Sequence, residues 1–200
     1  MKQLAPAASA LALILAACSP EAPASAPADA PAPAEAPAPG APAPDAMGEA
    51  LLEADGFMPA NPGGRGTGRK LSFGEPDAVV VDFITRLRGD QPPRRSSNAE
   101  CGGGPLTFAD WGDGFRLAFS EGRFAGWTAG ESAPRGFTTV SGIHVGSTLA
   151  ELRAAHPDVT VSEDTLGPEF SAGDIHGFLS GTTDAATVTT LWAGVSCMFR

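Results

Sequence analysis

Asp110-Trp111-Gly112-Asp113-Gly114 is the part of this chain best equipped for chemistry. Two carboxylates interleaved with glycines are the oxygen donors a Ca²⁺ loop uses, but their spacing departs from the Asp-x-Asp-x-Asp-Gly series of an EF-hand. Asp113-Gly114 ahead of an alternating apolar segment signals a tight turn. A turn is therefore expected, with ligand contact by Asp110, Trp111 and Asp113 as the functional alternative, since an aromatic ring displayed on a turn is a frequent binding anchor. The three histidines, His144, His156 and His176, show neither His-x-x-x-His nor His-Glu-x-x-His spacing, so no metal site is expected. No Gly-x-Ser-x-Gly elbow and no Ser-x-x-Lys pair occurs, which removes two common hydrolase nucleophiles. Gly63-Gly64-Arg65-Gly66-Thr67-Gly68-Arg69-Lys70 lacks the Gly-Lys-Ser/Thr ending of a phosphate loop and reads as a flexible basic loop. Glu169 reads as an isolated loop acid, and Arg94-Arg95, after Pro92-Pro93, as an exposed basic spot in a loop. No cofactor and no catalytic residue is expected.

The cysteines carry a different chemistry. Met1-Lys2 is a short basic start, Ala10 to Leu15 is apolar, and Leu15-Ala16-Ala17-Cys18 follows. That is the layout of a secretory signal, and an apolar stretch of about a dozen residues is too short for a membrane span of about 20. Leu15-Ala16-Ala17-Cys18 resembles the lipobox of bacterial lipoproteins. The resemblance implies a signal peptide over residues 1–17, diacylglycerol on the Cys18 sulfur, cleavage before Cys18 and acylation of the new terminus, so that the partner is a membrane, reached through lipid. Ser19 resembles the signal for the outer membrane, if the cell is Gram-negative. Export places Cys101 and Cys197 in an oxidising compartment, and with Cys18 lipidated they are the one remaining pair. A Cys101–Cys197 disulfide is expected. Metal ligation by these two cysteines is the rival reading, weakened by the lack of a nearby histidine.

The chain between anchor and domain is a spacer by composition. Residues 19–46 alternate Ala and Pro, broken by Glu21, Asp29, Glu35 and Asp45. Such a segment cannot bury an apolar face and lacks backbone donors. With Cys18 it forms an expected disordered linker, residues 18–46, reaching about 85 Å when fully extended. From residue 47 onward the acids outnumber the bases by 19 to 12, which argues against nucleic acid and against electrostatic adhesion to anionic lipid.

Residues 47–70 are expected as a flexible lead-in and residues 71–200 as one domain with repeat-like halves, 71–130 and 140–200. Leu71-Ser72-Phe73-Gly74 aligns with Ile143-His144-Val145-Gly146, each ahead of a helix start. Val79, Val80, Phe83, Ile84 and Leu87 follow helical spacing after Pro76, and Thr148-x-x-Glu151 reads as a capping box before Leu149 and Leu152. Phe115, Leu117 and Phe119 alternate as a strand, turning at Glu121-Gly122 into Arg123–Trp127. His176–Ser180 and Ala186–Gly194 read as a second hairpin, and Cys197-Met198-Phe199 as a short final strand. The expected fold class is α+β, two tandem helix-plus-antiparallel-strand modules in one domain. The stretch at residues 143–152 resembles the small helix-plus-meander repeats of outer-membrane assembly lipoproteins and of the β-lactamase-inhibitor protein family. The resemblance implies that sheet and loops bind other proteins.

The functional expectation is a membrane-anchored lipoprotein of the bacterial envelope with a non-catalytic binding domain, its partner a protein or the cell wall. The alternatives are a small-molecule binding lipoprotein, favoured by a deep apolar pocket lined by Trp111, Trp127 or Trp192, and a hydrolase using dispersed His and Asp residues.

Overall fold

The computed structural model describes residues 49–61 and 65–197. The signal peptide, Cys18, the Ala/Pro linker, Gly63-Gly64 and the expected strand at Met198-Phe199 lie outside the described residues.

The fold is built mainly from strands, which corrects the expected α+β class of two tandem modules. Thirteen strands and two helices occur among the described residues. The five-stranded sheet consists of β1 (Glu49–Glu53), β2 (Gly56–Asn61), β3 (Arg65–Gly66), β4 (Leu71–Ser72) and β9 (Phe137–Thr139). Its central pair β1–β2 is antiparallel, and β9 joins β1 in parallel. The larger sheet has the order β10 (Thr160–Asp164), β11 (Gly167–Ala172), β12 (Ile175–Leu179), β13 (Val188–Gly194), β8 (Arg123–Ala129), β7 (Phe115–Ser120), β6 (Leu106–Asp110) and β5 (Arg94–Asn98). Every neighbouring pair in it is antiparallel. The two four-stranded meanders meet edge to edge through β13 and β8, so the sheet is continuous across both halves of the chain.

Helix α1 (Asp77–Leu87) and helix α2 (Leu149–Ala155) are short covers on this framework. Pro76 leads into α1 with φ −59°, the angle its ring fixes. Val80 and Ile84, one turn apart, are its buried residues. In α2 the Thr148 hydroxyl accepts the Glu151 N–H at 3.2 Å, and the Glu151 carboxylate accepts the Thr148 N–H at 2.7 Å. That reciprocal box satisfies two amides a seven-residue helix would otherwise leave bare. At the β7–β8 hairpin, Glu121 and Gly122 both have positive φ, 51° and 71°, as the primed two-residue turn requires.

One face of the large sheet is buried. Ala109, Leu117, Trp127, Leu191 and Ala193 project from it into a core shared with Leu52, Phe57, Val80, Ile84, Leu149 and Leu152. The Trp127 indole N–H donates to the Glu53 carbonyl at 2.8 Å. Phe57 meets Phe115 and Phe124 edge-on. Residues 49–61, expected within a flexible lead-in, thus form a paired hairpin whose Leu52 and Phe57 are fully buried. The domain boundary lies upstream of residue 71 for that reason. Lys70, at the end of the expected flexible loop, is tied to Glu53 at 2.7 Å and also to Asp55. Arg94-Arg95 and Glu169, both expected in loops, sit in strands β5 and β11.

Candidate functional site

The turn joining β6 to β7 carries all three residues singled out from the sequence, and the structure separates them into two environments. Trp111 and Asp113 belong to a buried arginine box. Arg88 caps the C-terminus of α1, and its side chain is only 4% exposed. Its guanidinium pairs with Asp113 and is surrounded by the rings of Trp111, Phe115 and Phe137, with centroids at 5.3, 5.6 and 5.1 Å. Nε and Nη2 of Arg88 have no hydrogen-bond acceptor among the described residues, so ring faces take the place of water there. Burial pushes the Arg88 guanidinium down to about 10, against the Asp110 carboxylate, which favours its charge. Trp111 is half-buried, and its indole N–H donates to the Gln91 carbonyl at 2.9 Å. Both residues therefore hold the end of α1 against the sheet.

Asp110 faces the other way, onto the side of the large sheet that carries no second layer among the described residues. Strand register fixes one continuous row there. Ser171 pairs with His176, His176 with Trp192, Trp192 with Thr128, Thr128 with Arg116, Arg116 with Asp110, and Asp110 with Arg94. At about 4.8 Å per strand this row of seven spans about 29 Å. Arg116 donates to Asp110 through Nε at 3.3 Å and Nη2 at 3.0 Å, and Arg94 approaches the same carboxylate at 3.5 Å. Partial burial raises the Asp110 carboxyl, but the Gly112 N–H and the two arginines outweigh it and hold it below the ordinary carboxylate range. Two guanidiniums against one carboxylate leave a local positive charge. At the far end, the His176 imidazole stacks on the Trp192 indole at 5.9 Å, and Phe178 leans on the same ring at 5.0 Å.

The Cys101 and Cys197 sulfurs stand at disulfide distance, 2.09 Å. The bridge joins the loop before β6 to the segment after β13 on this same face, over a small cluster of Leu106, Phe108 and Ala118. Gly126 makes the crossing possible, because a Cβ there would lie 2.2 Å from the Val195 carbonyl oxygen. Beside that segment is a cleft of about 260 Å³ lined by Phe108, Arg116, Thr128, Phe178, Thr190 and Cys197. None of the three tryptophans lines this cleft. Trp127 is core and Trp192 is 5% exposed.

Each histidine has a serine hydroxyl close by. The distances are 3.0 Å for Ser147–His144, 2.7 Å for Ser141–His156 and 2.9 Å for Ser171–His176. A serine nucleophile needs a histidine that is itself oriented by a third group, commonly a carboxylate. No carboxylate is hydrogen-bonded to any of these rings among the described residues. No cluster of three or more metal-ligating side chains occurs among them either, and no helix among them is long and apolar enough to cross a membrane.

Sequence reasoning missed the row across the sheet. His176 and Phe178, and Thr190 and Trp192, do alternate within their strands. Only the pairing of strands distant in sequence places them beside Arg116 and Asp110. No known family, curated protein or solved structure matches this chain.

Proposed function

We propose that the protein is a lipid-anchored lipoprotein of the bacterial envelope whose folded domain binds another envelope protein through the open face of its large sheet. One observation carries the binding reading. The sheet buries one face in the core, while the other carries a single row of side chains from seven strands, four of which contribute an aromatic ring or a guanidinium: His176, Trp192, Arg116 and Arg94. Phe178, Arg116 and the edge of the His176–Trp192 stack have the residue character of interface anchors, in which aromatics and arginine are enriched. The anchor rests on Leu15-Ala16-Ala17-Cys18 and the Ala/Pro linker.

The test pairs two variants. Cys18→Ser should move the protein from the membrane to the soluble fraction. An Arg116→Ala/Phe178→Ala variant should stay in the membrane, keep the circular-dichroism spectrum of the folded wild type, and lose its co-purifying partner. Turnover of ester, peptide or glycan substrates by the purified full chain would end the non-catalytic reading.

A further inference from the structure

We propose that strand β5 is a docking edge that accepts an extended, acidic segment of a partner protein as a ninth strand of the large sheet. This edge adjoins the open face at Arg94, but added-strand pairing protects residues 94–98 and face binding does not, so either reading can fail alone.

Three observations meet at this edge. First, β5 is the terminal strand of the sheet order, and no strand pairs its outer side among the described residues. Its pairing with β6 runs through five consecutive residues, Arg94 to Asn98, with no register shift. Its interior contains neither proline nor bulge, two of the devices by which edges are usually blunted. An exposed regular edge offers a row of backbone donors and acceptors to an added strand.

Second, two adjoining cavities open on the sheet beside β5, the larger extending across β6 to the end of β7 and the smaller reaching Asp77 of α1. One, of about 550 Å³, is lined by Ser97, Asn98, Leu106, Thr107, Phe119 and Gly122, among others. The other, of about 400 Å³, is lined by Asp77, Arg95, Ser96, Ser97 and Thr107. Ser97 and Thr107 line both, so the cavities adjoin. In an added strand, alternate side chains point to one face about 6.7 Å apart. A guest side chain on the Arg95 face would therefore lie beside Arg95, at the smaller cavity.

Third, the charge selects the guest. The chain has a formal net charge of −10, yet β5 opens with two arginines whose side chains are 78% and 44% exposed. Arg94 shares Asp110 with Arg116, which holds that carboxylate more closely. Arg95 has Asp77 at 3.3 Å and lies over Phe119 at 5.3 Å. The cations sit at the start of the strand, and the larger cavity at its end. The fitting segment carries acidic residues beside Arg94 and Arg95.

The experiment uses the full chain and two synthetic capped hexapeptides, Glu-Asp-Val-Thr-Ile-Thr and Lys-Lys-Val-Thr-Ile-Thr, read by amide hydrogen exchange and by titration. The acidic peptide should bind saturably and slow exchange at residues 94–98, while the basic peptide binds at least about tenfold more weakly. Arg94→Glu should reverse that preference. Arg94→Gln, which introduces no repulsion toward Asp110 and leaves Arg95 in place, should reduce it without moving the melting temperature. High salt should weaken the acidic peptide and narrow the gap between the two, because it screens attraction and repulsion alike. Failure of the acidic peptide to bind, equal binding of both peptides, or protection confined to residues 176–192 of the open face would each overturn the proposal.

Discussion

Replacing Asp113 by Asn strands the most deeply buried cation among the described residues. The Arg88 side chain is 4% exposed, it pairs with Asp113, and its Nε and Nη2 have no acceptor. Removing one partner of a buried ion pair costs about 3–5 kcal/mol, because the remaining charge stays desolvated. Asp113 is 23% exposed, so water reaches its side of the pair and the lower bound, about 3 kcal/mol, applies. In a domain of this size that corresponds to a fall in melting temperature of about 6–12 °C. Arg88→Met behaves differently. It removes the costly cation and keeps apolar packing against Trp111, Phe115 and Phe137. Asp113 then remains near enough to solvent to stay hydrated, for a loss of about 1 kcal/mol. The double variant should resemble Arg88→Met alone, giving a coupling of about 2–3 kcal/mol in a double-mutant cycle. Urea unfolding followed by circular dichroism measures all four proteins. A cost for Asp113→Asn below about 0.5 kcal/mol, or additive single effects, would refute the reasoning.

Further outcomes are expected elsewhere in the domain. Cys101→Ala/Cys197→Ala opens a loop closed over a separation of 96 residues, and the chain-entropy argument puts the loss at about 4–5 kcal/mol in chemical denaturation. Gly126→Val should destabilise strongly and raise amide exchange at residues 195–197, since its Cβ would collide with the Val195 backbone. Thr148→Ala removes the cap of α2 and should cost about 1 kcal/mol. The Thr148 N–H, followed by its hydroxyl, holds the Glu151 carboxyl below the ordinary range. A depressed folded-state value stabilises above the unfolded value and is lost as pH falls through the folded one. The stability gap between wild type and Glu151→Gln should therefore be present at neutral pH and close below about pH 4.

Local signals were legible in the sequence where one segment decides its own structure. Pro76 and the spacing of Val80 and Ile84 mark α1, Thr148 and Glu151 mark α2, and Glu121-Gly122 marks a hairpin. Architecture was not legible, because it depends on pairings between remote segments. Ala50-Leu51-Leu52 is a short apolar run next to low-complexity sequence, and nothing within it reveals that Leu52 and Phe57 complete the core over Trp127. Arg94–Asn98 has a polar composition that favours loop, and five register pairs to β6 override it. The polar cluster at residues 110–114 was visible as a turn. Its division into a buried half and an open half follows from strand alternation on either side of that turn. Likewise, Trp192 and Arg116 lie 76 positions apart in the chain and become neighbours only through β13, β8 and β7.

The proposed function depends most on the open face being the surface that meets a partner in the envelope. A photoactivatable residue placed in turn at Arg116, Phe178 and the exposed Val140, followed by illumination of intact cells, tests this directly. The first two positions should each yield an adduct with the same discrete envelope protein, and Val140 should not. Uncoupled protein at both open-face positions, or adducts of equal yield at all three, would contradict it.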